Sequence, residues 1–194
     1  ENQGSYVAIH ALAAIAINAA LRAGVKSIEH ATLLDEESIG LMLKNGAWIV
    51  PTLATSYLSW QHIDEREPWV KEKMTAIEGP KKEKLRMAYK AGVTIACGCD
   101  FGGGTITVHG NNGLELPLMA ETIGMTPMET IVAATKTGSK LMLREDELGT
   151  LEKGKLADII ICQGNPLEDL WLVSKPDNIK IVMQDGIIKK KLLV

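Results

Sequence analysis

Residues 25–46, VKSIEHATLLDEESIGLMLKNG, combine a short apolar strand with an amphipathic helix. The strand is predicted over residues 25–30 and the helix over residues 35–45. Asp35 can cap the first turn of this helix, and Gly46 can end its last turn. The stretch therefore predicts one strand–helix unit of an α/β fold.

The same alternation continues on both sides of this unit. Further strands are predicted at residues 6–10, 48–53 and 93–99, and further helices at residues 13–23, 80–91 and 126–143. The clearest helix start is Thr126-Pro127-Met128-Glu129, a capping box with proline at the first helical position. Repeated strand–helix–strand passages indicate parallel strands joined by crossover helices.

Two segments depart from this alternation. Residues 54–79 form a long excursion after a strand, which could be an active-site lid or an ordinary surface insertion. After Leu143 the sequence becomes strand-rich, with apolar runs at residues 159–162 and 179–183 and a turn at residues 184–186. This tail predicts a small β region that belongs to a second layer or domain.

Composition excludes several classes of protein. The chain has 21 basic and 24 acidic residues, a net charge of −3, and so lacks the basic bias of a nucleic-acid binder. No apolar run is long enough to span a bilayer, and no secretory leader is visible, so no membrane partner is expected. The three cysteines cannot form a fully paired disulfide framework, which favours a reducing, cytoplasmic location.

Three polar side chains stand at the ends of predicted strands. His10 and His30 each end a strand, and Asp100 follows the strand at residues 93–99. Functional groups in parallel α/β folds gather at the carboxyl ends of strands, and two imidazoles with one carboxylate suit Zn²⁺. Each residue also has a structural interpretation, because a single histidine can be a hydrogen-bonded packing residue and an aspartate before glycines often forms a turn.

Side-chain alternation along residues 93–99 predicts which groups share a face. Ala96, Gly98 and Asp100 are expected on one face, where small residues leave room for a ligand. Cys97 and Cys99 are expected on the other face, against the helices. A zinc site at this cysteine pair is disfavoured because no second Cys or His pair accompanies it.

The chain resembles the amidohydrolase superfamily, in particular its imidazolonepropionase-like and Xaa-Pro dipeptidase-like branch. The resemblance follows the family's order along nearly all 194 residues. The two most specific motifs are SIEHATLLDEE, around His30, and LGTLEKGKLADIII, at residues 148–161. The other matching segments are VAIHA, VPTL, ACGCDFGGG, HGNN, GMTPMETIVAAT, NPLEDL and VMQDG.

The resemblance implies an α/β fold. Residues 1–146 would be the C-terminal half of a (β/α)₈ TIM-type barrel, namely strands five to eight with a metal centre at their carboxyl ends. Residues 147–194 would supply the C-terminal strands of a small β-sandwich domain. The family's strand-one His-x-His pair and its strand-four bridging residue have no counterpart in this sequence. The resemblance thus implies a missing N-terminal half, in the same polypeptide or in another chain.

The resemblance also implies a site. His10 matches the metal-binding histidine of strand five and His30 that of strand six. Asp100 matches the strand-eight aspartate, which touches metal and exchanges protons with the nucleophilic water. His109 and Asn112 fall in a loop near the substrate. One or two divalent ions, with Zn²⁺ expected, would complete the site together with ligands absent from this chain.

The implied function is metal-dependent hydrolysis of dipeptides or N-acyl amino acids by a homo-oligomeric enzyme. Two alternatives stay open: a cyclic-amide hydrolase similar to imidazolonepropionase, and a non-catalytic remnant or assembly partner. Residues 1–194 alone are expected to have little or no activity, because an open barrel edge and an incomplete ligand set would remain.

Overall fold

The computed structural model describes residues 5–192, in which a four-stranded parallel sheet forms the centre of the larger unit. The strands follow chain order across the sheet, and each pairs in parallel with the next. They are β1 (Ala8–Ala13), β2 (Ser27–Leu33), β3 (Trp48–Val50) and β4 (Thr94–Ile95). This arrangement confirms the predicted parallel α/β class, and all four carboxyl ends lie at the same edge of the sheet.

Helices connect and cover these strands. Asp35 accepts a hydrogen bond from the Ser38 amide at 2.8 Å, and Gly46 ends the same helix with a φ of 60°, as the sequence predicts. The helices are α1 (Ala14–Arg22), α2 (Glu36–Asn45), α3 (Leu53–Gln61), α4 (Pro68–Lys90), α5 (Glu115–Ile123), α6 (Pro127–Val132) and α7 (Gly138–Leu141), with a π-helical segment, Ala133–Thr137, between the last two.

The segment after β3 differs from its prediction. It is largely helical, because α3 begins at Leu53 and α4 begins twelve residues before the predicted start at Pro80. Pro68 occupies the first turn of α4, where its missing amide hydrogen costs no hydrogen bond. Pro80 therefore lies inside α4 and does not mark the start of a helix.

The strand predicted at residues 93–99 is also shorter than expected. Only Thr94 and Ile95 pair with β3 as a strand. The Cys97 amide instead donates to the Ala133 carbonyl at 3.2 Å, which draws the chain toward the helical layer. The alternation of faces assumed for Ala96 to Asp100 therefore does not apply, because these residues are not in a strand.

Apolar residues from the sheet and from the helices build one core. Burying each such side chain contributes roughly 1.5–3 kcal/mol to folding. The largest fully buried apolar residues of this core are Ile17, Leu21, Ile28, Leu34, Met42, Ile49, Leu85, Met119 and Ile123. Within residues 5–192, no helix combines the length and apolar content required to cross a membrane.

A second, antiparallel sheet lies near the C-terminal end. Its strands are β5 (Ile159–Cys162), β6 (Ile179–Gln184) and β7 (Ile187–Lys191), in that order across the sheet. Ile160 and Ile187 leave 64% and 59% of their surfaces exposed. The β-rich tail predicted from the sequence is thus present, and it carries apolar side chains that the described residues do not cover.

Candidate active site

The two predicted histidines meet between β1 and β2, each three residues before the last residue of its strand. The predicted strand ends at His10 and His30 are therefore wrong, because β1 continues to Ala13 and β2 to Leu33. Their ring centroids lie 4.3 Å apart with the planes at 67°, an edge-on contact. The strand register pairs His10 with Glu29 and Ala11 with His30, so an ideal pleat would turn the two imidazoles to opposite faces. They meet because His30 and Ala31 adopt left-handed φ values of 72° and 47°, which redirect the His30 ring.

Thr52, in the connection after β3, holds the His30 ring. Its hydroxyl oxygen lies 2.5 Å from Nδ1 of His30 and also donates to the Pro51 carbonyl at 2.9 Å. Because one hydroxyl carries one proton, we assign the Thr52 oxygen as acceptor from an Nδ1–H group of His30. The neutral ring then has its free lone pair on Nε2, the atom through which it could bind a metal.

The electrostatic surroundings of His30 favour its neutral form. Partial burial lowers the pKa of His30, and the neighbouring His10 and Lys81 lower it further, whereas the Asp100 carboxylate opposes this change. A metal ligand must be a neutral imidazole. The chemistry of this ring therefore suits metal coordination.

Asp100 lies after β4, with an exposed side chain and a left-handed φ of 55°. The Thr55 hydroxyl, from α3, lies 2.6 Å from the Cys99 carbonyl and 3.1 Å from that of Asp100, and donates to this pair of oxygens. The Asp100 charge acts on the pKa values of both His30 and Glu29, so the carboxylate belongs to the same end of the sheet.

The donor set fits part of a metal site. Two imidazoles in contact, one with its second nitrogen held by a hydroxyl, are suitable ligands for a divalent ion. In residues 5–192, however, no three His, Cys, Asp or Glu side chains are grouped closely enough to hold a metal. The structure thus brings His10 and His30 together and places Asp100 near them without completing a three-donor cluster.

Glu29 lies beside the histidine pair and was not among the residues predicted from the sequence. Its half-buried carboxylate accepts a hydrogen bond from the Ser27 hydroxyl at 2.6 Å and lies in register with His10. Burial raises the pKa of Glu29, the Ser27 bond opposes that change, and the Asp100 charge adds to it. The sequence feature that could have identified Glu29 is its position directly before His30.

The glycine-rich loop after Asp100 carries the two predicted substrate residues. The Asn112 amide nitrogen lies 3.1 Å from Sγ of Cys99, and its side-chain oxygen accepts from the Gly110 amide at 2.9 Å. The His109 ring lies against Gly103, where an added Cβ would stand 3.6 Å from Nε2. Both side chains are exposed and belong to the loop that returns beside the Asp100 segment.

The cysteine pair next to Asp100 is a poor metal site. Burial raises the pKa of the Cys97 thiol far above its ordinary value, and the nearby Glu115 and Cys99 add to this effect. Metal binding needs the thiolate. Both cysteines pack against the apolar core, as expected for side chains that face the helical layer.

Two curated proteins illustrate what this chain is similar to. Ochratoxinase from Aspergillus niger is 35% identical over 188 residues, which are 95% of this chain and 38% of ochratoxinase. Imidazolonepropionase from Aeromonas hydrophila subsp. hydrophila is 26% identical over 151 residues, 77% of this chain and 32% of that enzyme. The chain therefore spans less than half the length of these curated relatives.

Solved structures give the same result. A Xaa-Pro dipeptidase with methionine bound in its active site has a TM-score of 0.86 and 37% identity, covering 97% of this chain and 46% of its own. A prolidase in complex with N-methylphosphonate-L-proline has a TM-score of 0.87 and 32% identity, covering 96% and 45%. The family model described as "Amidohydrolase family" matches residues 1–188. The fold, the histidine pair and these matches together show that this chain belongs to the amidohydrolase family.

Proposed function

We propose that the chain supplies the metal-binding and proton-transfer residues of an enzyme that hydrolyses the amide bond of dipeptides or N-acyl amino acids. The observation that carries this proposal is the edge-on contact of His10 and His30 at 4.3 Å, with His30 held by Thr52. The stability of a sheet does not require contact between two imidazoles on neighbouring strands, whereas binding of a shared ion does.

In this proposal His10 and His30 would hold a divalent ion, with Zn²⁺ as the expected metal, and Asp100 would join them once ligands from outside this chain complete the site. The bound ion would supply Lewis-acid polarisation of the substrate carbonyl. Asp100, which is exposed to solvent, would accept a proton from the attacking water. It then returns that proton to the leaving amine, so that one carboxylate serves both halves of the reaction.

The substrate class follows from the similar structures and from the loop after Asp100. One similar structure is a Xaa-Pro dipeptidase with methionine in its active site, and another is a prolidase in complex with N-methylphosphonate-L-proline. His109 and Asn112 are exposed polar groups on a loop that returns beside the Asp100 segment. We assign them to the polar end of the substrate, which carries a carboxylate in both proposed classes.

We propose further that an N-terminal half, in the same polypeptide or another chain, completes this unit. Within residues 5–192, β1 and β4 each pair with one neighbour only, so each has a free edge. The ochratoxinase and the Xaa-Pro dipeptidase, of which this chain covers 38% and 46%, contain the additional length that such a half requires. We call this chain together with that half the complete enzyme.

Cyclic-amide hydrolysis is the second candidate function, supported by the 26% identity to an imidazolonepropionase. Both candidates are tested by incubating the complete enzyme with a panel of Xaa-Pro dipeptides, N-acyl amino acids and cyclic amides. The proposal expects turnover of the linear substrates, loss of turnover after chelation, and recovery with Zn²⁺. His62, which pairs with Glu65 on the surface, provides the control variant H62A.

The outcomes of this panel are distinct. Loss of activity in H30A with retention in H62A supports the proposed site. Turnover of cyclic amides alone would replace the substrate class. No metal-dependent turnover of any panel member, by an enzyme that is folded, would favour the non-catalytic remnant or assembly partner.

A further inference from the structure

Glu115, the first residue of α5, is a fully buried carboxylate. Its Oε1 accepts from the Leu53 amide at 2.8 Å and its Oε2 accepts from the Ala54 amide at 2.7 Å. These two amides belong to the first turn of α3, about sixty residues earlier in the chain. One carboxylate therefore satisfies two of the amides that a helix N-terminus leaves without partners.

This arrangement replaces a local cap. Thr52 stands at the N-cap position of α3, where a threonine hydroxyl usually accepts from an amide of its own helix. Here the Thr52 side chain makes no such bond, because its hydroxyl is turned to His30 and to the Pro51 carbonyl. Glu115 therefore caps α3 in place of Thr52, and the Thr52 hydroxyl hydrogen-bonds to His30 instead.

The backbone of Thr52 also needs support. Its φ of 49° lies in the left-handed region, which is strained for a β-branched residue. Such a conformation persists only when its surroundings hold it in place. The two hydrogen bonds to Glu115 begin at the very next residue, Leu53, and so fix the direction in which the chain leaves Thr52.

Lys81, from α4, completes the buried polar group. This residue is 2% exposed, and its ammonium donates to the Ser56 hydroxyl at 2.6 Å and lies 3.6 Å from a carboxylate oxygen of Glu78. Burial raises the pKa of Glu115 to about 7, while the two amides and the Lys81 charge act in the opposite direction. A carboxylate that costs this much to bury has a specific use in the fold.

We propose that Glu115 is a positioning residue: by clamping the Leu53 and Ala54 amides it fixes left-handed Thr52, whose hydroxyl holds Nδ1–H of His30 and so aims Nε2 at the ligand position. The inference rests on the proposed function for the use of Nε2, but the clamp itself does not. Glu115 touches neither substrate nor metal in this proposal, and it acts only through Thr52.

The test compares three variants of the complete enzyme. E115Q keeps the shape but has one acceptor oxygen for two amides. T52V removes the hydroxyl and keeps the volume. The matched control is E129Q, because the Glu129 carboxylate also accepts at a helix start, that of α6, but is exposed and lies in a capping box with Thr126.

Two readouts separate positioning from mere stability. The first is the ¹⁵N NMR spectrum of the His30 ring in metal-free protein, which distinguishes an Nδ1–H from an Nε2–H tautomer. The second is Zn²⁺ affinity by competition with a chelator. We expect wild type and E129Q to show Nδ1–H, and E115Q and T52V to show a tautomer mixture with metal binding weakened about 10- to 100-fold.

Different results test the positioning role of Glu115 and the proposed metal site. An unchanged His30 tautomer in folded E115Q overturns the positioning role, whatever the metal affinity. A changed tautomer with no Zn²⁺ binding even by wild type upholds the clamp and overturns the proposed metal site. Should E115Q fail to fold, T52S, which retains the hydroxyl, and T52V decide whether the Thr52 oxygen sets the tautomer. If these two variants share one tautomer, the clamp has nothing to act on and the proposal falls.

Discussion

The imidazole of His30 contacts that of His10 although the sheet register places Ala11, not His10, opposite His30. A left-handed backbone at His30 produces this contact, and a threonine at the end of the next strand holds it. Strain of this kind is typical of functional sites, because the surrounding structure must support it. This strained conformation at His30 supports the proposed metal site.

Replacement of Asp100 by asparagine tests the proton-transfer role. D100N keeps the side-chain shape and removes the proton acceptor, so we expect kcat of the complete enzyme to fall roughly 10²- to 10⁴-fold. The exposed position of Asp100 means that the thermal midpoint should change little. Steady-state kinetics with a Xaa-Pro dipeptide measures the effect, and a normal kcat in D100N would exclude this assignment.

A pair of glycine substitutions tests the packing that leads to Asp100. An added Cβ at Gly98 would stand 2.6 Å from Cγ1 of Val50, whereas Gly40, inside α2, has open space around it. We expect G98A to lower the free energy of unfolding by about 1–3 kcal/mol. The control G40A should raise it by roughly 0.5–1 kcal/mol, because alanine favours a helix. Denaturant titration gives both values, and equal effects would show that β3 and residue 98 are not in close contact.

The buried carboxylate of Glu115 predicts a dependence of stability on pH. Its folded pKa of about 7 lies above the ordinary 4.5, so the folded state holds the proton more strongly than the unfolded state. This contribution to stability is complete below pH 4.5 and is lost as the pH rises through 7. Relative to E115Q, wild type should lose roughly 3 kcal/mol of unfolding free energy over that range.

The comparison with E115Q is needed because other groups near Glu115 also titrate. The Lys81 ammonium on α4 and the thiol of Cys97 both interact with the Glu115 carboxylate. Burial lowers the pKa of Lys81 and raises that of Cys97, and both effects remain in the variant. Denaturant midpoints measured at several pH values would contradict the prediction if the two proteins followed parallel curves.

The activity of residues 1–194 by themselves provides a further prediction. We expect no metal-dependent turnover from this chain alone, since the proposed site has a histidine pair and one carboxylate, and the parallel sheet keeps two free edges in residues 5–192. Activity should appear when the N-terminal half is added. Turnover by the purified chain without that half would show that the site is complete as it stands.

Local signals explain which parts of the fold were predictable. The ends of α2 follow from Asp35 and Gly46, and the start of α6 follows from the Thr126 capping box, because each signal acts within a few residues. The extent of α4 was missed because two prolines compete as start signals. The early end of β4 depends on the Ala133 carbonyl, which lies more than thirty residues away.

The candidate site also has features that the sequence predicts and features that it does not. The alternation of apolar segments and helices places His10 and His30 on neighbouring strands, although it predicts each strand to end three residues too early. Their contact could not be predicted, because it needs a left-handed φ at a non-glycine residue, which leaves no mark in composition. Thr52 and Glu115 were missed because each acts on a residue distant in sequence.

Metal binding by the histidine pair is the central claim, and metal analysis of the complete enzyme tests it most directly. Wild type, H62A and the double variant H10A/H30A are loaded with Zn²⁺, dialysed and measured for bound metal per chain. We predict that wild type and H62A retain one or two ions and that the double variant loses at least one of them. Equal metal content in all three proteins would contradict the account.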